Sequence, residues 1–336
     1  MARRGGAGAA VVHDERARAG GLGRRRATAA GRRFPVRGQG GHRWRRRPTG
    51  LRSCFSEGVE VTPAHTDSSD RPSKVSWDPQ LYLRFPEHRI RPALELLDRV
   101  SFDTPPAVVY DLGCGPGTLT RVLTERFPGA EVHGVDSSPE MLRTAAEAAP
   151  TAHLHQVEIS SWRPRQRPDL VFANSLFHLV PDHGDLLRRM VRDLTPRGVL
   201  AAQMPVFHRT PWFRLMTQTL EDGGRGGTPL GAPGLRRTLY RRHTVEAMGY
   251  YDLLAGPNTE VDIWSTEYLH VLDGPDPVWA WAEAAGLRPV IDGLTAAEFA
   301  EFRTTYLERL RAAYPPLPDG RTLFPFQRLF LVVHSA

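Results

Sequence analysis

From residue 107 onward, short apolar runs alternate with amphipathic segments. Residues 108–112 and 132–136 are apolar runs of strand length, and residues 119–126 between them have the spacing of a helix. Strands that alternate with helices are typical of βαβ units, which build parallel sheets with helices on both faces. The pattern therefore predicts an α/β protein.

The alternation continues to the C-terminus. Thr295 and Glu298 have the spacing of a capping box, and the apolar stripe that follows predicts a long helix over residues 295–313. The other predicted helices cover residues 92–100, 181–191, 212–220, 244–254 and 278–285. The other predicted strands cover residues 153–157, 169–174, 199–204, 261–270 and 324–333.

Two segments depart from this alternation. Residues 205–258 are rich in Gly, Arg and Pro and follow the fifth strand, so we expect a helical cap above the strand ends, with a loop over residues 223–234. Residues 1–75 have no amphipathic periodicity and are rich in Arg and Gly, which predicts a disordered N-terminal extension. The folded domain is therefore predicted to span residues 76–336.

The net charge of +7 comes from that extension. Residues 1–76 hold 17 Lys and Arg against 6 Asp and Glu, whereas the remainder holds 27 against 31. A basic surface for nucleic acid would have to be the extension itself. The extension could be an RNA-binding arm, a transit peptide or a segment that the native protein lacks, and we expect the native chain to begin near Val75.

The two cysteines, Cys54 and Cys114, lie in very different sequence contexts. No disulfide framework is implied, and a reducing cytoplasm is the expected compartment. No apolar run approaches the ~20 residues needed to cross a bilayer. We therefore expect no membrane partner.

A glycine-rich turn follows the first strand and provides the first candidate chemistry. Gly113, Gly115 and Gly117 alternate with other residues, and Asp111 precedes them at the strand end. Glycines allow positive φ and a close ligand approach, and the next helix offers free N–H groups. A carboxylate here would repel a pyrophosphate but could accept a hydrogen bond from an ammonium group. The turn therefore favours S-adenosylmethionine (SAM), whose methionyl end is zwitterionic, over a dinucleotide.

A second acid ends the next strand. Asp136 lies where the acid that binds ribose hydroxyls stands in nucleotide-binding αβ units. Ser138 is a predicted N-cap, and Met141 in the helix that follows is expected to cover the adenine. Further predicted cofactor contacts lie in the glycine turn or at the ends of the second, third and fourth strands: Cys114, Ser137, Glu158, Ile159 and Asn174.

With these residues in place, the chain from about Trp77 resembles the class I SAM-dependent methyltransferases. More narrowly, it resembles the trans-aconitate 2-methyltransferase family in segments outside the glycine turn. These segments are residues 77–83 with Arg91-Pro92, Phe172-Ala173-Asn174, Pro181-Asp182-His183, Gln203-Met204-Pro205, residues 261–264 with Thr266 and Tyr268, residues 286–289 and residues 326–330. The resemblance implies a Rossmann-like, seven-stranded, mostly parallel sheet, SAM as cofactor, and methyl esterification of a small polycarboxylate such as trans-aconitate.

The sequence departs from the family pattern at two places. His178 and Leu179 stand where the family usually has Gln and Trp, and Glu158 stands where it usually has Asp. Glu158 can still accept a hydrogen bond from an amino group. The change at residues 178–179 lies where substrate would meet the methyl group, so it bears on which acid is methylated.

A carboxylate acceptor sets modest chemical demands. A carboxyl with a pKa of ~4 is already ionised at neutral pH. We therefore expect no catalytic base and no metal, and a mechanism of positioning in which arginines hold the carboxylates that are not methylated. The candidate substrate contacts are Arg89, Arg91, Arg288 and Arg328, with Tyr82, His178 and Tyr268 as hydrogen-bonding groups.

Three other interpretations remain open at this point. The protein could methylate an oxygen or nitrogen of a different small metabolite. It could be an NAD-dependent oxidoreductase, although the glycine spacing and Asp111 argue against a dinucleotide. It could also be a non-enzymatic RNA-binding protein that uses its Arg-Gly extension. We favour a monomeric methyltransferase with no nucleic-acid partner.

Overall fold

The computed structural model describes residues 86–240, 244 and 246–336, and a seven-stranded sheet lies at its centre. The strand order is β3-β2-β1-β4-β5-β7-β6. Strands β1 to β5 are parallel, and β7 runs antiparallel to both β5 and β6. The bounds are β1 Val108–Leu112, β2 Glu131–Asp136, β3 His153–Gln156, β4 Leu170–Asn174, β5 Val199–Pro205, β6 Thr259–Leu272 and β7 Thr322–Ser335. The predicted mostly parallel α/β sheet is confirmed.

Helices connect the strands and cover the sheet. In chain order they are α1 Pro86–Asp98, α2 Thr118–Arg126, α3 Pro139–Ala148, α4 His183–Asp193, α5 Pro211–Asp222, α6 Pro233–Tyr240, α7 Ala247–Leu254, α8 Pro277–Ala285, α9 Arg288–Gly293 and α10 Ala296–Ala313. Two short 3₁₀ helices, Ile159–Ser161 and Phe177–Leu179, follow β3 and β4. No helix in the described ranges is long and apolar enough to span a bilayer.

Three apolar cores hold the elements together. Leu96 of α1 and Leu123 of α2 pack on one face of the sheet, and Leu187 of α4 and Tyr250 of α7 pack on the other. The third core lies among α5, α8, α10 and the ends of β6 and β7, where the fully buried side chains include Trp212, Trp281, Phe302, Tyr306 and Phe324. Because β1, β2, β4 and β5 are parallel, their carboxyl ends share one edge of the sheet.

Helix α1 begins earlier than the sequence pattern predicts. The prediction placed its start at Pro92, because proline suits a first turn, but the helix starts at Pro86 and Pro92 lies inside it. A tertiary contact accounts for the extra turns: the Arg89 guanidinium donates to the carbonyl of Ala284 in α8 at 3.1 Å. Tertiary contacts of this kind can offset the hydrogen bond that an internal proline removes.

Two helices were absent from the prediction. Helix α6 covers part of a Gly- and Pro-rich segment, and α9 begins at Arg288, where the prediction had only the end of the preceding helix. Both carry proline in their first turn, where the missing N–H costs nothing. By contrast, the predicted caps at Ser138 and Thr295 are present, and Thr295 and Glu298 form a complete capping box.

The segment predicted as a cap contains α5, α6 and α7. Helix α7 packs on the sheet, since Tyr250 and Leu254 belong to the core that also holds Met204 of β5. Helix α5 belongs instead to the third core, through Trp212. The cap at residues 205–258 therefore stays a prediction, with α5 and α6 as its candidates. The predicted extension at residues 1–75 and the candidate substrate contact Tyr82 lie outside the described residues.

Candidate functional site

The glycine turn closes tightly onto the end of β2. Gly113, Gly115 and Gly117 have φ of +67°, +53° and +83°, a region that other residues rarely adopt. The backbone N–H groups of Gly113 and Cys114 donate to the Val135 carbonyl at 2.8 and 3.1 Å. Gly117 occupies the N-cap of α2. The turn thus joins the carboxyl ends of β1 and β2.

The three glycines differ in what surrounds them: Gly117 packs against backbone, Gly113 against the end of a leucine side chain, and Gly115 faces open space. A Cβ on Gly117 would lie 2.7 Å from the Cα of Ala145 in α3, and one on Gly113 would lie 2.9 Å from Cδ1 of Leu176. A Cβ on Gly115 would meet no atom within 4 Å. The turn is therefore open above Gly115, where a ligand has room to approach the backbone.

Asp136 ties this turn to the next helix. One carboxylate oxygen accepts from the Gly115 N–H at 2.9 Å, and the other accepts from the Ser138 N–H at 2.9 Å. The Ser138 hydroxyl in turn accepts from the Met141 N–H at 3.2 Å and caps α3. A carboxylate oxygen can accept more than one hydrogen bond, so Asp136 retains capacity for a ligand hydroxyl.

Asp111 is a buried carboxylate that lacks a cation among the described residues. Its side chain is 1% exposed and accepts from the Thr120 hydroxyl at 2.7 Å. Burial raises the pKa of Asp111 to about 7; the Thr120 hydrogen bond opposes this rise, and the nearby charge of Asp136 adds to it. A cationic ligand group would stabilise the ionised form.

The remaining predicted cofactor residues lie around this turn. Met141 and Ile159 are buried, whereas Ser137 and Glu158 are exposed. Glu158 directly follows Val157, whose N–H donates to the Asp136 carbonyl at 2.9 Å, so the β3 end lies beside the β2 end. Cys114 is a buried free thiol whose pKa is raised by burial, so it lacks the thiolate character that a nucleophile needs.

A buried polar network lies at the ends of β4 and β5. The Gln203 amide donates to Ser175 Oγ at 3.0 Å and also to Asn174 Oδ1. Arg328, which pairs with Pro205 across the β5–β7 ladder, donates to Ser175 Oγ at 2.9 Å and to Gln203 Oε1 at 3.2 Å. Asn174 and Arg328, predicted separately as cofactor and substrate contacts, thus share one network.

Gln203 and Ser175 were not among the predicted site residues. Gln203 is fully buried in a strand whose other residues are apolar or proline, and Ser175 has a φ of +56° directly after β4. A polar residue inside a buried parallel strand was the available signal, since buried amides need hydrogen-bond partners. The strain at Ser175 could not be inferred from the sequence.

A second group of predicted substrate residues joins α1 to β6. The Tyr268 hydroxyl donates to Glu95 at 2.5 Å, and Arg91 forms an ion pair with the same carboxylate at 2.8 Å. The Arg91 guanidinium also lies 5.2 Å from the centre of the Tyr268 ring. Burial, followed by the contact with Glu95, raises the pKa of the Tyr268 hydroxyl, so it stays a hydrogen-bond donor.

Beside this group, the His270 ring lies 4.5 Å from that of His88 and 4.9 Å from that of Trp281. Burial, followed by the charges of His88, Arg328 and Arg91, lowers the pKa of His270 to about 3. This histidine is therefore neutral at physiological pH. The sequence pattern gave no indication of the stacked cluster, because its members come from α1, β6 and α8.

Arg288 is separate from both groups. It forms an i,i+4 ion pair with Asp292 on α9 at 2.8 Å, and both side chains are about half exposed. Surface pairs of this kind contribute little to stability. A role for Arg288 in binding substrate stays a prediction.

His178 borders a cavity of about 510 Å³ at the carboxyl ends of β4 and β5. Its ring lies 5.9 Å from that of Phe207, edge to face. The cavity is also lined by Pro205 and by residues of α5 and α6, including Arg214 and Tyr240. Of the predicted substrate contacts in the described ranges, His178 lines this cavity, whereas Arg89, Arg91 and Tyr268 do not.

The chain is similar to several known proteins. A family profile described as a methyltransferase domain matches residues 109–198. The trans-aconitate 2-methyltransferase of Pseudomonas aeruginosa (strain UCBPP-PA14) is 44% identical over 259 residues, which cover 77% of this chain and 94% of that protein. The protein of the same name from Azoarcus sp. (strain BH72) is 42% identical over 263 residues, covering 76% and 98%. Among solved structures, the plantazolicin methyltransferase BpumL in complex with SAH matches at 15% identity and a TM-score of 0.43, over 76% of this chain and 88% of that one.

The matched profile contains the glycine turn, Asp136 and the end of β4, and the aligned relatives extend over most of the folded part of the chain. The resemblance given by the sequence motifs is confirmed, and with it the class of enzyme and the SAM cofactor. The chain belongs to the trans-aconitate 2-methyltransferase family.

Proposed function

We propose that this protein transfers the methyl group of SAM to a carboxylate of trans-aconitate, or of a close small polycarboxylate, to give a monomethyl ester. The observation that carries the proposal is the pair of acids, Asp111 and Asp136, on either side of a glycine turn that is open at Gly115. The identity of 44% to a protein named for this reaction supports the acceptor.

The residues present fit SAM. Asp136 has the capacity to accept from the ribose hydroxyls while it holds the Gly115 N–H at 2.9 Å. Asp111, buried without a cation among the described residues, suits the methionyl ammonium. Ile159, Met141 and Glu158 border the end of β2, where they would surround the adenine.

When bound, SAM supplies a sulfonium methyl group that passes to a carboxylate oxygen while the S–C bond breaks and S-adenosylhomocysteine leaves. No side chain of this chain has to remove a proton, because the acceptor carboxyl is ionised at neutral pH. The protein's contribution is to orient and desolvate two charged reactants, and such positioning can supply about 7–11 kcal/mol.

The ends of β4 and β5 are the proposed acceptor side of the site. The Gln203–Ser175–Arg328 network fixes the backbone after β4, and the loop that continues from it packs Leu176 against Gly113. His178 stands two residues further along this loop. In place of the family's usual Gln, its imidazole could donate to a substrate carboxylate and shape the pocket. Helices α5 and α6 would close this side as the cap.

An acceptor panel tests the proposed reaction. Purified protein and labelled SAM are incubated with trans-aconitate, cis-aconitate, related di- and tricarboxylates, and amine or hydroxyl acceptors. We expect label in a base-labile product with trans-aconitate, because esters hydrolyse in base whereas N-methyl and ether products do not. A base-stable product, or transfer only to non-acids, would favour the alternative acceptor. Binding of NAD in place of SAM in the same calorimetric test would favour the oxidoreductase.

SAM affinity is expected to fall as the pH drops below 7. Burial raises the pKa of Asp111 to about 7 in the folded protein. The free energy of unfolding of the ligand-free protein should therefore decrease as the pH rises from about 4 to 7 and Asp111 ionises. Binding of an ammonium group requires that ionised form, so the Kd should rise about tenfold per pH unit below 7. Calorimetry between pH 5.5 and 8 measures this change in Kd, and about one proton should be released per SAM bound at pH 6.

Asp111→Asn is the control and should bind SAM weakly, without this pH dependence. A constant Kd from pH 5.5 to 7 would contradict the ammonium assignment.

A further inference from the structure

The cavity beside His178 contains a cation that the fold itself does not use. Arg214 lines the cavity from α5, its residue is exposed to solvent, and its guanidinium forms no ion pair or hydrogen bond with any residue that the structure describes. A guanidinium that no carboxylate of the described residues neutralises can pair bidentately with a carboxylate that enters the cavity. The described residues that line the cavity include no Asp or Glu.

The predicted substrate arginines differ in this respect. Arg91 pairs with Glu95 at 2.8 Å, Arg288 pairs with Asp292 at 2.8 Å, and Arg328 donates to Ser175 and Gln203. Their charges or donors already serve contacts within the protein. Arg209, which also lines the cavity, pairs with Glu246 at 2.6 Å. Arg214 is therefore the cavity's available guanidinium in the described part of the chain.

The cavity also lies close to the proposed SAM site. Its wall contains His178 and Pro205, at the carboxyl ends of β4 and β5. The loop that carries His178 touches the glycine turn through Leu176, since a Cβ on Gly113 would lie 2.9 Å from Leu176 Cδ1. A small acid in the cavity would therefore lie one loop away from the methionyl end of SAM.

The cavity wall combines charge with an apolar surface. Phe213, Arg214 and Thr217 share one face of α5, because residues three and four apart in a helix are neighbours. Phe207 and Leu239 provide apolar wall, and Tyr240 and His208 add polar groups. Such a wall suits a small molecule with a short carbon frame and more than one carboxylate.

We propose that Arg214 binds a non-reacting carboxylate of the acceptor through its guanidinium fork and thereby selects polycarboxylates over acids with fewer carboxylates. This inference rests on the proposed function for the identity of the reaction. It assigns the selection among acceptor acids to a residue of α5 that was not among the substrate contacts predicted from the sequence.

Arg214→Gln is the main variant, and Arg188→Gln is its matched control, because Arg188 is an exposed arginine of α4 that pairs with Asp185 at 2.8 Å. Arg214→Gln should raise the KM for trans-aconitate roughly 10- to 100-fold, the range expected for loss of hydrogen bonds to a charged group. The SAM Kd and the unfolding midpoint should stay at wild-type values. Arg214→Lys should recover part of the loss, because it keeps the charge without the planar fork.

Direct binding separates this inference from the proposed reaction. Calorimetric titration of tricarballylate and of succinate into the SAH complex measures acid recognition without turnover. Wild-type protein should bind the tricarboxylate more tightly, and Arg214→Gln should lose most of that preference.

If wild type methylates trans-aconitate and Arg214→Gln leaves both KM and the binding preference unchanged, the proposed role of Arg214 is wrong and the proposed reaction is supported. If wild type methylates no acid but its tricarboxylate preference depends on Arg214, the reaction is wrong and the anion site stands. If wild type shows no preference for the tricarboxylate, the anion site is wrong.

Discussion

Asp136→Ala is expected to weaken SAM binding at least 100-fold. The substitution removes the acceptor for the ribose hydroxyls, and two hydrogen bonds to a charged group contribute about 1.5–3 kcal/mol each. It also releases the Gly115 and Ser138 N–H groups, which the carboxylate holds at 2.9 Å, so the glycine turn loses its link to α3. Calorimetric titration of SAM measures the effect.

The control for this variant is Asp185→Ala, which removes an exposed carboxylate on α4 that pairs only with Arg188 among the described residues. It should bind SAM as wild type does. Urea unfolding of Asp136→Ala establishes whether the variant is folded when SAM is titrated. A folded Asp136→Ala protein with wild-type SAM affinity would show that this carboxylate does not bind the ribose.

Gly117→Ala and Gly115→Ala are expected to fail in different ways. A Cβ on Gly117 would lie 2.7 Å from the Ala145 backbone, at a φ of +83°, so both overpacking and backbone strain oppose it. These two costs suggest a loss of about 2–5 kcal/mol of unfolding free energy. Gly115 has a φ of +53° and open space around it, so alanine there should cost only about 1–2 kcal/mol.

For SAM binding, by contrast, Gly115→Ala is expected to have a large direct effect. The Cβ of Gly115→Ala would project into the space that SAM is proposed to occupy, so this variant should remain folded and lose SAM affinity by tenfold or more. Denaturant unfolding, monitored by circular dichroism, together with SAM titration, separates the two effects. Equal stability losses in the two variants would contradict the packing of Gly117 against α3. Normal SAM binding by Gly115→Ala would place the cofactor elsewhere.

Much of the fold and of the cofactor site could be predicted because the signals are local. Each of these signals specifies the backbone conformation of only a few residues. They are the strand that contains Asp111, the glycines at every second position and the N-cap at Ser138. Strand β1 has the predicted bounds, and the other strand and helix ends shift by only a few residues in most cases. Positive φ at three alternating glycines and the side-chain cap of α3 appear in the structure as the spacing implied.

The acceptor side could not be predicted in the same way. Arg214 has no local motif, and its significance comes from a missing ion pair and from a cavity that only the packing of α5 and α6 beside β5 creates. The contacts of Arg91 and Arg328 likewise depend on α1 and β7 lying against strands far away in sequence. Whether an arginine serves the fold or faces a ligand depends on the partners that tertiary packing provides.

The sequence by itself determined the α/β alternation, the glycine turn with its two acids, and the family, because each depends on residue types at fixed short spacing. Only the tertiary structure decided that Asp111 is buried enough to titrate near pH 7, that Asp136 already supports the turn, and that Arg214 is unpaired beside His178 in the described chain. Burial and charge pairing arise between segments that are distant in sequence, and no local pattern contains them.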